Sequence, residues 1–138
     1  MTAIATAAVF VWLGMVLAIS FLEAPLKFRA PGVDLPIGLA IGRLVFRALN
    51  TAEMILATIV LGCLLAAAAA DAVTAALVGT AILLVQVVVV RPYLTRRSDR
   101  IMAGAAVPRS NSHHVYVALE AGKLLALATT GTLLLITA

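Results

Sequence analysis

The sequence predicts an all-α fold, a four-helix transmembrane bundle. Three observations carry this. Of 138 residues, 64% are hydrophobic and 12% charged, whereas soluble domains are about 45–50% apolar and about 25% charged. Four apolar runs are each long enough to cross a bilayer core of about 30 Å, which takes about 20 helical residues. The runs are rich in Ala and Leu and lack the period-two alternation of a transmembrane strand. A water-soluble fold and a disordered chain are excluded by this much apolar sequence. At this length the chain, residues 1–138, reads as a single integral membrane domain.

The first helix is expected over about residues 3–22, a run without charge. No basic segment precedes it and no cleavage site follows, so it is expected to be retained rather than removed as a signal peptide. A loop from Glu23 to Pro36 comes next, with Pro25, Pro31, Gly32 and Pro36. Each proline removes a backbone donor and fixes φ, so this segment is expected to be ordered but not a continuous helix. The second helix is expected over about residues 37–70, longer than the bilayer, with its first turns among the headgroups. Gly38 and Gly42 form a small-xxx-small pair suited to close helix contact. A tight turn around Asp71 leads to the third helix, about residues 72–91, uncharged as far as Val90. A second basic loop runs from Arg91 to His113, and the fourth helix is expected over about residues 114–137, capped by Asn111 or Ser112.

Orientation follows from the ten basic residues. All fall in or beside the loops after the first and third helices, which share one side of a four-helix chain. The opposite side holds only Asp71 and the termini. The positive-inside rule then expects both basic loops in the cytoplasm and both termini outside, in a multi-pass protein of the cell membrane. Membrane lipid and further copies of the same chain are the expected partners. Nucleic acid is excluded, because aromatic platforms and a basic domain are missing.

Counting from Asp71 and from Ala138 brings charged groups of all four helices to roughly one plane near the inner edge. The candidate ligand-binding residues are Glu23, Arg43, Arg47, Asn50, Glu53, Arg91, Glu120 and Lys123. Arg43, Arg47, Asn50 and Glu53 are spaced four, three and three, which places them within roughly a third of a helix circumference. Buried charges in membranes are costly and usually face the bundle or a watery cavity. Glu53 is therefore expected within salt-bridge reach of Lys123 or Arg91 in the same subunit. Glu23 is expected to border the same polar pocket, lined by Asn50 and open to the cytoplasm, with an apolar upper half containing Cys63. Arg43 and Arg47 also fit simple anchoring, because long basic side chains snorkel to water. Gln86 is expected to hydrogen-bond across the bundle, and Tyr93 and Tyr116 to lie at the inner interface.

No cofactor and no metal site is expected. His113 and His114 are adjacent and diverge on a helix, and two histidines are too few for a defined site without carboxylate help. A single cysteine, Cys63, excludes an intrachain disulfide and a cysteine-based zinc site. No nucleophile triad or phosphate loop is present, so no catalytic residue is assigned.

Two resemblances bear on function. Trp12-Leu-Gly, Phe21-Leu-Glu-Ala-Pro-Leu-Lys-Phe28, Gly38-Leu-Ala-Ile-Gly-Arg-Leu-Val-Phe46 and a histidine opening the fourth helix follow one another in this order. The chain thereby resembles the small four-helix membrane proteins of the domain-of-unknown-function 4149 type, related to the transmembrane-protein-205-like group. That resemblance implies four helices in one bundle, assigns no chemistry, and carries a hint toward transport or stress through metal-drug tolerance in the eukaryotic relatives. The run Arg43-Leu-Val-Phe-Arg47-Ala-Leu-Asn50-Thr-Ala-Glu53 is similar to the second helix of the membrane-associated glutathione and eicosanoid metabolism proteins. This one implies a trimer in which Arg, Asn and Glu help bind glutathione. Met54 stands where a tyrosine is common there, and the Glu120–Lys123 pair is foreign to that family. The expected function is binding or transport of a small polar or ionic solute through the inner-edge charge layer. The alternatives are a membrane enzyme of the glutathione-transferase type and a structural subunit of a larger membrane complex.

Overall fold

The computed structural model describes residues 1–106 and 111–138, without the side chain of Ser112. Arg109, one of the expected loop cations, lies outside the described residues. Four helices dominate: α1 (Thr2–Lys27), α2 (Leu35–Ala66), α3 (Ala70–Met102) and α4 (Ser112–Thr137). All four are long and apolar enough to cross a membrane. Each packs against its neighbours in sequence, and α1 also packs against α4. Short connections between packed neighbours make them antiparallel, so the bundle closes as an up-and-down ring.

The core is one buried stripe per helix. It comprises Ala5, Val9, Trp12 and Val16 in α1, and Leu49, Glu53, Ala57, Val60 and Leu64 in α2. In α3 it comprises Ala72, Ala76, Gly79, Leu83, Gln86 and Val90, and in α4 Tyr116, Glu120, Lys123, Leu127, Thr130 and Leu134. Steps of three and four residues keep each stripe on one face. Outside the stripes many large apolar side chains are exposed, among them Ile4, Val11, Ile55, Leu77, Val88, Leu125 and Ile136. This is the surface a helix needs against lipid.

Two helices outrun their expected ends. α1 continues through Pro25 to Lys27 instead of stopping near residue 22, and α3 continues through Pro92 to Met102 instead of stopping near residue 91. A proline inside a helix loses one hydrogen bond and clashes with the carbonyl four residues earlier. Those carbonyls belong to Phe21 and Val88, and both lie in π-helical segments, Leu17–Glu23 and Gln86–Val90. The wider turn carries its bonds five residues apart, so the proline fits without breaking the helix. The first basic loop consequently shortens to residues 28–34, and the second begins only at residue 103.

Caps set the other ends. Asp34 accepts a hydrogen bond from the Ile37 N–H at 3.0 Å and Pro36 sits in the first turn, which starts α2. α2 stops at Ala66 rather than near residue 70, through a Schellman turn. The Ala69 N–H reaches the Leu64 carbonyl and the Ala68 N–H the Leu65 carbonyl, both at 3.2 Å. Asn111 flanks α4 but makes no side-chain cap bond. The Gly38/Gly42 pair receives side chains rather than a second helix backbone. A Cβ on Gly38 would overlap the Phe28 ring, and one on Gly42 would stand 2.8 Å from Lys27 Nζ.

Candidate functional site

Each buried stripe brings one polar position, or two, to a common level. α1 supplies Trp12, α2 Glu53, α3 Gln86, and α4 both Glu120 and Lys123; Glu53 and Lys123 are 0% exposed. Lys123 is the centre. Its Nζ lies 2.5 Å from Glu53 Oε1 and 2.7 Å from Glu120 Oε1, and it donates to Gln86 Oε1 at 2.8 Å. The three ammonium protons are thereby used. Gln86 bridges, since its Nε2 donates to Glu120 Oε1 at 2.7 Å. Trp12 Nε1 donates to Glu53 Oε1 at 2.9 Å.

A second layer balances the charge. In the Asn50 amide orientation that satisfies both neighbours, its nitrogen donates to Glu53 Oε2 at 3.2 Å and its oxygen accepts from Arg91 Nε at 3.2 Å. Arg91 also donates to the Tyr116 hydroxyl at 3.4 Å and stacks 4.3 Å over the Phe46 ring. Two carboxylates thus face two cations. A buried ion pair survives desolvation only when its remaining lone pairs and protons are satisfied. Here one atom is left over: Glu120 Oε2 is buried with no hydrogen-bond partner among the described residues.

Glu120 also forms part of the wall of a cavity of about 700 Å³ that runs from this cluster toward the basic-loop end. Arg91, Phe46 and Tyr116 line it near the cluster, and Lys27, Arg43, Arg97 and His113 line it farther out. Phe21, Phe28, Leu39, Leu94 and Ile101 give it largely apolar walls.

The expected charge layer therefore divides. Glu53, Glu120, Lys123, Asn50 and Arg91 come together inside one subunit, as expected, but of these only Glu120 and Arg91 line the cavity; Asn50, expected in its lining, faces a separate recess between α2 and α3. Glu23 does not join them: it pairs with Lys27 at 3.7 Å and does not line the cavity. The α1 residue level with Glu53 is Trp12, eleven residues earlier and so about 16 Å along the axis. Counting back from Asp71 misplaced the layer, because α2 ends at Ala66: Glu53 lies 13 residues from that end, Trp12 lies 10 residues from the start of α1 at Thr2, and Glu23 lies 21 from it. Arg43 turns to Asp99 at 2.6 Å, a partner sequence reading did not single out. Arg47 is exposed. Cys63 packs partly buried against the apolar core and does not line the cavity, so the expected apolar upper half of the pocket is absent among the described residues. His113 reaches the cavity wall, and no group of three possible metal ligands occurs among the described residues. Trp12 was legible only indirectly: an indole N–H inside an apolar run needs an acceptor.

Comparison with known proteins finds no match, whether among protein families, curated proteins or solved structures.

Proposed function

We propose that the protein is a multi-pass protein of the cell membrane that binds or carries a small polar or ionic solute in the cavity ending at Glu120. The observation behind this is that Glu120, whose buried Oε2 has no partner among the described residues, lines a space of about 700 Å³, a size within the ordinary range of small-molecule sites. A buried acceptor without a donor costs about 1–3 kcal/mol or more if charged, and a solute N–H or O–H would satisfy it. The positive-inside rule places the basic end of the cavity in the cytoplasm. The glutathione-type alternative is less well supported, because both Glu53 oxygens are already engaged by Lys123, Trp12 and Asn50.

The test is a thermal-shift screen of the purified protein against thiols, ions and small metabolites, since a ligand of the folded state alone raises Tm. Glu120→Gln keeps an oxygen toward Lys123 and Gln86 but turns an amide donor to the cavity. It should abolish the shift of any solute that hits. Glu53→Gln removes the same charge behind the cavity wall and should leave that shift in place. Equal loss in both variants, or no hit at all, would refute the cavity reading.

A further inference from the structure

A second recess, about 510 Å³, lies between α2 and α3 and shares only Arg43, Arg91 and Thr95 with the solute cavity. Arg43, Arg47, Arg91 and Arg96 line it, and no carboxylate does. Asp99 engages Arg43 from outside the recess, while Arg47 and Arg96 make no ion pair among the described residues. Arg43 Nε is a buried donor without a partner among the described residues. Guanidinium forks match phosphate oxygens bidentately, and several around one recess suit a phosphate better than an isolated ammonium would.

The recess is graded along the helices. From Arg43 to Met54 on α2, and from Arg96 to Val87 on α3, its lining passes from arginine to apolar side chains. At 1.5 Å per residue this spans about 13–16 Å. Met54 and its neighbour Ile55 are exposed on the apolar surface. A free anion would use only the arginine end. A lipid would use both, with its phosphate among the arginines and its acyl chains along Met54 and Val87.

We propose that this groove is a binding site for the phosphodiester headgroup of an anionic membrane lipid. It stands apart from the solute cavity, because Arg47 and Arg96 line the groove alone. The experiment measures Tm of the full chain in detergent with added phosphatidylglycerol, phosphatidylcholine or inorganic phosphate. Phosphatidylglycerol should raise Tm well above phosphatidylcholine, and salt should shrink the difference by screening the charges. The double variant Arg47→Gln/Arg96→Gln should lose most of that shift. The control Arg29→Gln/Arg100→Gln removes two exposed charges that line neither recess, and it should keep the shift. Should the groove double variant fail to fold, Arg96→Gln alone is compared with wild type for phosphatidylglycerol retained in native mass spectrometry, and it should retain less. Equal shifts from both lipids, equal loss in both double variants, or a groove-dependent shift from inorganic phosphate as large as that from lipid would each overturn the lipid assignment.

Discussion

Lys123 holds together side chains from three helices, and through Glu53 it reaches Trp12 on the fourth. Removing it would leave two buried carboxylates facing one another with Arg91 as the remaining nearby cation. Breaking a buried ion pair from one side costs about 3–5 kcal/mol in soluble proteins, whereas replacing the whole set by neutral groups is often tolerated. Lys123→Met should therefore lower stability by about that amount, read from unfolding in detergent. The triple variant Lys123→Met/Glu53→Gln/Glu120→Gln should recover much of the loss. A single variant with the wild-type Tm would show that the cluster contributes nothing to folding. Part of this site was legible in the sequence. Glu53, Glu120 and Lys123 stand out because each interrupts an apolar run, and Gln86 does so more quietly. Trp12 does not, because an indole is ordinary in such a run, and only its partner shows that its N–H matters.

Helix ends and irregular turns decide how these residues line up. Ala68 holds φ 53° at the turn position where glycine is preferred, and Gly104 holds φ 78° at the corresponding position after α3. There the Ala105 N–H reaches the Arg100 carbonyl and the Gly104 N–H the Ile101 carbonyl, the same two-bond pattern that closes α2. A Cβ in the left-handed region costs about 1–2 kcal/mol, part of which glycine gives back through its freer unfolded chain. Ala68→Gly should stabilise the protein by about 0.5–1 kcal/mol and Gly104→Ala should destabilise it by a similar amount, both read from thermal unfolding. A fall in Tm for Ala68→Gly would contradict the turn geometry. The four helices themselves were legible, because apolar length alone identifies them. The ends of α1 and α3 were not: Pro25 and Pro92 read as stops, and π turns carry no signature in composition. Glu23 fell at the wrong level for a different reason: α2 ends at Ala66, so Glu53 lies nearer the Asp71 end of the bundle than a count from residue 71 puts it.

At the scale of the whole molecule the charge is distributed along one axis. Lys27, Arg29, Arg43, Arg47, Arg91, Arg96, Arg97 and Arg100 belong to one end of the bundle, and the turn at residues 67–69 and both chain termini belong to the other, where Asp71 sits in the first turn of α3. Moving such a set of cationic groups across a bilayer is far costlier than moving one aspartate, and short loops of Lys and Arg are the strongest determinant of orientation. The basic end should therefore face the cytoplasm, together with the mouth of the solute cavity and the arginine groove. Single cysteines test this in a Cys63→Ala background, which removes the native thiol. Asp71→Cys should react with an impermeant thiol reagent in intact cells. Ala30→Cys and Ala105→Cys, in the two basic connections, should react only after the membrane is permeabilised. Both positions are exposed in the fold, so protection in intact cells would reflect the membrane and not burial. Labelling of Ala105→Cys from outside would reverse the orientation, and the cavity would then open toward the exterior.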